Sequence, residues 1–383
     1  MPSILYFFAL CNLVIGSGAF VLGGILQPMS ASLGISIAAA GQAMTAYAVA
    51  TAVLAPLLIV LTASWPRKRA IQLALILFTV GCLVCALAPD LGILLLGRVL
   101  MGAGALFTAV ASALAVSMVP PALRGRALSI TFLGIGVSYA IGLPLGAWLG
   151  FEYGWRVPVW LSAAASLAAL AAASWLLPVH MPGTRISFAG FTAAARQPAV
   201  LRVWCRTLLY FVAVFSVFTY VGPVLQALNP MSSIALSLTL AVFGVAGVTG
   251  TLVGGWATDH FGTVKSLRLM LAVLVAMMCL LPLTRGHLSA TLAVLVVWGV
   301  AGFGLMSPQQ SRLAALSPAQ APLLLSLNAS MLYIGTAIGA LTSGVLLNRV
   351  GFAQLAWVGM PFALLALLTL AFDKTAVRAV VAP

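Results

Sequence analysis

Acidic residues are almost absent from this chain. Its 383 residues include only 4 Asp and Glu, against 18 Lys and Arg, so that 6% are charged and the net charge is +14. A soluble protein of this length would carry about 95 charged residues, a quarter of the chain. The charged groups here are too few to cover a surface in water. The composition therefore excludes a soluble globular protein.

Apolar residues, in contrast, make up 63% of the chain, and the mean hydropathy is +1.19. This content has room for about twelve helices of about 20 residues, the length that crosses a bilayer. We predict an all-α membrane protein with twelve transmembrane helices. The predicted spans are residues 5–27, 37–61, 70–88, 93–119, 127–150, 156–178, 204–227, 233–257, 266–283, 289–310, 323–346 and 353–372.

The loops between these spans alternate between rich and poor in Lys and Arg. Cytoplasmic loops carry the excess of basic residues in membrane proteins. The pattern predicts a multi-pass protein of the cell membrane (inner or plasma membrane) with both termini in the cytoplasm. The basic side has Arg67, Lys68, Arg69, Arg124, Arg126, Arg185, Arg196, Arg202, Arg206, Lys265, Arg268, Arg312, Lys374 and Arg378, whereas the other has Arg156, Arg285 and Arg349.

A polar stretch at 179–203 divides the chain into two sets of six spans. We predict an N-terminal bundle at 1–178, a cytoplasmic linker at 179–203 and a C-terminal bundle at 204–383. A faint repeat relates LTASWPRKR (61–69) to ATDHFGTVK (257–265). Such a repeat is expected for two bundles related by an axis along the membrane normal.

Five short segments of the chain resemble the motifs of a known family. Loop 8–9 reads GGWATDHFGTVK (254–265), with Gly255, Asp259, Gly262 and Lys265 near the positions of a G-x-x-x-D-x-x-G-[RK]-[RK] signature. The other segments are GRVLMGAGA (97–105), GIGVSYAIGLPLGAWLG (134–150), FTYVGPVL (218–225) and SLNASMLYIGTAIGA (326–340). Together they resemble the major facilitator superfamily, specifically its twelve-helix drug and sugar efflux branch of arabinose-efflux and chloramphenicol-resistance permeases.

This resemblance implies a secondary transporter that moves a small organic solute by alternating access. The glycine-proline motif of helix 5 implies export. The resemblance leaves an uncoupled facilitator or a solute exchanger open, as well as a membrane sensor that transports nothing. We predict no enzyme activity, because no catalytic set of residues converges in the sequence.

The chain also departs from the family pattern. Loop 2–3 keeps only the basic residues Arg67, Lys68 and Arg69 of the signature, and Ala19 stands where relatives often have a carboxylate on helix 1. Of the four carboxylates, Asp90 and Glu152 fall in predicted extracellular turns, Asp259 in a cytoplasmic loop and Asp373 just past helix 12. A coupled antiporter needs a group that binds and releases a proton in each cycle, usually a carboxylate or a histidine. We therefore predict transport without obligatory carboxylate-based proton coupling.

Arg98 lies inside predicted span 4. A charged group at this depth is costly and usually functional, so we expect a cavity-facing cation held by Asn12 and Ser17 of helix 1. The alternative is an arginine that extends to the headgroups.

Helix 5 and loop 8–9 are the candidate moving parts. Gly142 and Gly146 belong to a small-residue face on which we expect the two halves to meet, and Pro144 permits a kink. Asp259 is expected to bind helix N-terminal amides or a nearby cation in one conformation only.

Neutral polar and aromatic side chains are left to line the substrate cavity. They favour a neutral, amphipathic or mildly anionic solute, because no buried carboxylate is available to pair with an organic cation. The candidates are Asn12, Gln42, Tyr47, Arg98, Tyr139, Tyr210, Thr219, Tyr220, Gln226, Trp298, Asn328 and Tyr333.

Other partners are excluded by missing patterns. The basic residues are scattered between apolar runs, which argues against nucleic acid. The three histidines are too dispersed for a metal site, and no phosphate-binding loop for ATP is present. We expect no cofactor, and a monomer whose partners are the lipid bilayer and the solute.

Overall fold

The computed structural model describes residues 2–120, 123–178, 197–317 and 320–372. Every regular element within these ranges is helical. Eleven helices are long and apolar enough to cross a membrane, or twelve when Ile4–Phe20 and Leu22–Leu33, bent by 44°, form one span. The predicted all-α membrane fold is confirmed.

We number the twelve spans α1 to α12. The N-terminal half consists of α1 (Ile4–Phe20 and Leu22–Leu33), α2 (Ile37–Leu61), α3 (Arg67–Leu87), α4 (Leu91–Gly104 and Leu106–Ser117), α5 (Arg124–Val137, a π-helical turn Ser138–Gly142, and Leu143–Glu152) and α6 (Arg156–Leu176). The C-terminal half consists of α7 (Pro198–Phe218 and Val221–Leu228), α8 (Ser233–Phe261), α9 (Thr263–Leu280 and the 3₁₀ turn Leu281–Thr284), α10 (Leu288–Gly304 and Met306–Leu316), α11 (Ala321–Val350) and α12 (Leu355–Leu368, between the 3₁₀ turns Phe352–Gln354 and Thr369–Phe372).

Several helices are longer than the predicted spans. The first continues to Leu33 instead of residue 27, and α7 begins at Pro198 instead of residue 204. Hydropathy detects only the apolar part of a helix, whereas backbone hydrogen bonds continue through polar turns. The predicted linker is corrected accordingly: residues 198–203 belong to α7, and residues 179–196 lie outside the described ranges.

The two ends of the bundle differ chemically. At one end, side chains cap the first turns of α2, α4 and α8: Ser36 accepts from the Ala39 amide at 3.1 Å, Asp90 from Ile93 at 3.0 Å and Ser232 from Ala235 at 3.3 Å. Such caps satisfy amides that a helix leaves without partners. We call this the capped end, where α5 also terminates, and the opposite one, with Arg67–Arg69 and Arg126, the basic end.

Matching breaks relate the two halves. The fourth span is interrupted at Ala105 and the tenth at Leu305, 200 residues later. The first span is interrupted at Val21, and the seventh at Thr219 and Tyr220. The breaks therefore show the repeat that the loops only suggest. Span 5 departs from it, because its π-helical turn has no counterpart in the continuous span 11.

Candidate functional site

The halves meet along three helix pairs: α5 with α8, α2 with α11, and the second segments of α1 and α7. Helices α5 and α8 are antiparallel. Glu152 at the capped end accepts a hydrogen bond from the Ser233 hydroxyl, and Ser237 donates to the Pro144 carbonyl at 2.8 Å. Further along, Gly244 packs directly on the backbone of Tyr139. This interface runs from the capped end to the centre of the bundle.

A tyrosine fits between the halves at the second contact. Tyr220 lies in the break of α7 and is fully buried. Its ring lies against Gly41 of α2, and its hydroxyl donates to the Ala340 carbonyl of α11 at 3.3 Å. Gln42 lies against Gly344 in the same region. A side chain at Gly41 would collide with the tyrosine, so this contact depends on glycine.

Aromatic rings from both halves close the centre of the interface. Tyr139, in the π-helical turn of α5, stacks on Phe20 of α1 with ring centroids 4.8 Å apart. From the other half, Phe303 lies 4.9 Å and Phe218 5.5 Å from the Tyr139 ring. The π-helical turn ends two residues before Pro144, which has no amide hydrogen to donate to the Ala140 carbonyl. Widened turns of this kind often occur at functional positions.

Arg98 is buried behind this interface, with 1% of its surface exposed. Its guanidinium donates to the carbonyls of Gly18 at 3.0 Å, Ala19 at 2.7 Å and Ala43 at 3.1 Å. Two of these carbonyls lie just before the break of α1, where the regular helical ladder is interrupted. Arg98 therefore holds the broken helix in place.

These contacts correct the expected environment of Arg98. We expected side chains of Asn12 and Ser17 as its partners, but the partners are backbone carbonyls. The arginine also does not extend to the headgroups, because its charged group lies inside the protein. A cavity of about 10 Å³ beside it, lined by Leu94 and Ser162 among others, has room for about one water molecule.

Tyr47 connects this cation to the interface. The Arg98 guanidinium lies 4.7 Å from the centroid of the Tyr47 ring. Tyr47 in turn meets Tyr333 of α11 edge to face, with centroids 6.2 Å apart. The positive charge is thus separated from the opposite half by one ring.

Asn12 belongs to a polar network inside the N-terminal half. It donates to the Thr131 carbonyl at 2.9 Å and accepts from Thr108 at 2.7 Å, which joins α1, α4 and α5. Burial of these groups is permitted because they satisfy one another.

Asn328 belongs to the matching network of the C-terminal half. It accepts from Thr207 at 2.7 Å, and Gln309 donates to Thr207 at 2.9 Å and to the Val203 carbonyl at 2.7 Å. This network joins α7, α10 and α11, the counterparts of the spans that Asn12 joins. The roles of Thr207 and Gln309 were missed in the sequence, where neither residue carries a distinctive motif.

The remaining cavity candidates lie in different places. Tyr210 donates to the Gly302 carbonyl inside the C-terminal half, and Trp298 packs edge to face on Phe243 near the central rings. Thr219 is buried at the break of α7, and its hydroxyl has no hydrogen-bond partner among the described residues. Gln226 lies away from the centre, where its amide binds both backbone groups of Met231.

The expected role of the helix 5 glycines is wrong. Gly142 packs on Ser17 and Gly146 on Val21, both in α1 of the same half. These glycines allow α5 to approach its own neighbour, and where α5 meets the other half the close glycine contact is made by Gly244 of α8. Composition shows that a helix has a small-residue face, but packing decides which helix covers it.

Residues of the two related loops lie at the basic end. Lys68 donates to the Ser174 carbonyl at 2.6 Å, Arg67 is buried and Arg69 is exposed. Asp259, Gly262 and Lys265 are exposed, and Gly255 is partly buried. Within the described ranges, the Asp259 carboxylate has no hydrogen bond or ion pair, so the expected latch is not formed in this conformation.

Another buried arginine was missed because it was grouped with the basic loops, although it falls in the first turn of the predicted span 204–227. Arg206 was assigned to the basic loops, but it lies within α7 with 1% of its surface exposed. Its guanidinium donates to the Thr369 hydroxyl at 2.9 Å, and it thereby joins α7 to the end of α12. The contact is within one half, so it positions helices rather than the interface.

None of the carboxylates that the structure describes enters the central region. Asp90 caps α4, Glu152 terminates α5 and Asp259 lies near the end of α8, while Asp373 is outside the described residues. In the described part of the chain, no group of three His, Cys, Asp or Glu side chains is placed to hold a metal ion.

Comparisons with known proteins agree with this architecture. The chain is 31% identical over 368 residues to the inner membrane transport protein YdhP of Escherichia coli (strain K12), covering 93% of this chain and 94% of that protein. It is 28% identical over 356 residues to the uncharacterized MFS-type transporter YbcL of Bacillus subtilis (strain 168), covering 93% and 91%.

Solved transporters share the fold at low sequence identity. A D-xylose-proton symporter matches with a TM-score of 0.79 at 15% identity, over 96% of both chains. A bacterial homologue of the human lysosomal transporter Spinster matches with a TM-score of 0.79 at 16% identity, over 98% of both chains.

The model of the Major Facilitator Superfamily matches residues 8–320 and 231–382, which together span nearly all of the chain. With twelve spans, repeated helix breaks and relatives that align over more than nine-tenths of its length, this chain belongs to the Major Facilitator Superfamily and is a multi-pass membrane transporter of some solute.

Proposed function

We propose that this transporter exports a small neutral, amphipathic or mildly anionic organic solute across the cell membrane by alternating access. The observation that carries the proposal is the central interface. There, Phe20 and Tyr139 of one half meet Phe218 and Phe303 of the other, and no described carboxylate approaches them. Rings that face one another across two moving halves offer apolar and stacking contacts to a solute.

Two polar groups give this region its expected selectivity. The Thr219 hydroxyl is buried without a described partner, so it is available to a polar group of the solute. The Arg98 cation behind Tyr47 favours a neutral or negative solute over an organic cation. A buried cation would repel a second positive charge strongly, because the low dielectric of the interior screens little.

The contacts that join the two halves support an assignment of which side of the membrane the closed end faces. The halves are joined by Glu152, Pro144 and Tyr220 toward the capped end. We assign the capped end to the outside and the basic end to the cytoplasm, since basic residues collect on the cytoplasmic side. On this assignment both termini are cytoplasmic and the structure represents a conformation closed to the outside.

The energy source is a separate part of the proposal. Uphill export by a proton gradient needs a titrating group on the solute pathway. The described carboxylates lie at helix ends, and so do His260 and His287. This placement favours facilitation or solute exchange over carboxylate-based proton antiport.

The experiment begins with a thermal-shift screen of small metabolites and drugs on purified protein. Compounds that raise the unfolding temperature are then tested for flux in liposomes. Flux supports transport of that solute, whereas binding without flux for every hit supports a sensor. Preferential binding of organic cations would contradict the assigned selectivity.

Coupling is tested in the same liposomes with an imposed pH gradient and a solute that does not titrate. We expect the solute to equilibrate without accumulating. Accumulation against its gradient that a protonophore abolishes would refute the uncoupled mechanism and leave export intact.

A further inference from the structure

Glu152 occupies an unfavourable position within its own helix. It is the last residue of α5, where the helix dipole is negative, and no basic residue lies in that last turn. A carboxylate is destabilising at a helix C-terminus and stabilising at an N-terminus. The stability of α5 therefore does not explain why this position carries one of only 4 acidic residues in the chain.

The contact of Glu152 lies in the other half. Its carboxylate accepts a hydrogen bond from the hydroxyl of Ser233, the first residue of α8. The first turn of α8 presents amide hydrogens and the positive end of the helix dipole to this carboxylate. The nearby Arg156 donates to Ala86, Ala88 and Ser32, within the N-terminal half.

A second hydrogen bond follows one turn along α8. Ser237 lies four residues after Ser233, on the same face, and donates to the Pro144 carbonyl at 2.8 Å. Both hydrogen bonds join α5 to α8, and therefore one half to the other. They must break when the halves separate at the capped end.

We propose that Glu152 is a positioning residue: together with Ser233 and Ser237, it holds the outer end of the transport pathway closed. The inference goes beyond the proposed solute and rests on the proposed alternating access. A hydrogen bond to an ionised group is stronger than one between neutral groups. Loss of the carboxylate therefore shifts the equilibrium toward the conformation that is open to the outside.

A buried residue behind this contact reports the opening. Leu240 of α8 is fully buried where α8 meets α1 and α5, beside Gly24. We would place Leu240→Cys in a chain with Cys205→Ser and Cys279→Ser, because the other three cysteines are buried. A membrane-impermeant maleimide added outside intact cells then labels position 240 only when the outer end opens.

Glu152→Ala should raise the labelling rate about three- to tenfold, the effect of losing one charge-assisted hydrogen bond near the surface. Ser233→Ala should act in the same direction. The double variant should equal the larger single effect, since both changes remove one contact. Glu152→Gln, which retains an acceptor oxygen, should lie between Glu152→Ala and the parent.

Asp90→Asn is the matched control, because it removes a charge at the same end whose hydrogen bond among the described residues is to its own helix. Its labelling rate should stay within about twofold of the parent, as for a surface change. Rates unchanged in both Glu152→Ala and Ser233→Ala, or effects that multiply in the double variant, would overturn the inference.

Folding and alternation are controlled separately. Thermal unfolding and monodispersity check each variant, and Ser233→Ala, which removes a single oxygen atom, carries the test if Glu152→Ala does not fold. If no bound solute changes the labelling rate of Cys at position 240 in the parent chain, the proposal of alternating access is refuted. If the parent responds and the variants match it, only the role of Glu152 fails.

Discussion

The two halves share a scaffold but differ at equivalent positions. Arg98 and Trp298 each lie seven residues before the break of their helix, at Ala105 and Leu305. Arg98 donates to three backbone carbonyls and holds the broken α1, whereas Trp298 packs on Phe243 beside the central rings. The two halves thus share the helix break, but the residue seven positions before it differs: it is a buried cation in one half and an apolar ring in the other.

We expect the largest difference in solute flux between substitutions of Arg98 and of Trp298. Arg98→Ala should reduce solute flux by at least about 100-fold, because it removes three buried hydrogen bonds, at about 1–3 kcal/mol each, that hold the broken α1 against its neighbours. Arg98→Lys should restore little, since an ammonium cannot reproduce the planar guanidinium. Trp298→Phe should retain most flux. Liposome flux and thermal unfolding measure both, and normal flux in Arg98→Ala would refute the role of Arg98.

The central rings give the next effect. Tyr139→Leu should raise the KM for the solute about tenfold, which corresponds to the loss of about one aromatic contact. Phe303→Leu should do the same from the other half. Tyr139→Phe is the control, because the described residues form no hydrogen bond with its hydroxyl. An unchanged KM in both leucine variants would place the solute elsewhere.

The two asparagine networks should differ moderately. Asn12→Leu removes two hydrogen bonds and Asn328→Leu one, so we expect losses in stability of about 2 and about 1 kcal/mol. Thermal unfolding in detergent checks the order. If Asn328→Leu is the more destabilising, the network around Gln309 matters more than its count of bonds indicates.

The smallest effect on stability should come from a substitution in loop 8–9, which contains Asp259. Asp259→Asn should change stability by less than about 0.5 kcal/mol, because the carboxylate is exposed. It should nevertheless shift the balance between the two conformations if Asp259 binds a partner in the other one. Cysteine accessibility from both sides measures this, and identical accessibility would refute the latch.

Arg98 shows how far sequence reasoning reached into the site. A single arginine within an apolar run was enough to identify a special position. Its partners could not be predicted, because every residue has a backbone carbonyl and only the packing of α1 and α2 decides which of them face Arg98. Thr207 and Gln309 were likewise not recognised, although Thr207 donates to Asn328 and Gln309 donates to Thr207.

The sequence alone determined the class of fold, the twelve spans and the scarcity of acidic groups, because hydropathy and charge sum along the chain. Tertiary structure decided which face of each helix meets which neighbour: the glycines of α5 cover α1, Arg206 lies inside α7, and Glu152 binds the opposite half. The physical reason is that lipid and protein are both apolar surroundings. Composition therefore places a helix in the membrane, whereas its rotation is set by packing and hydrogen bonds between helices.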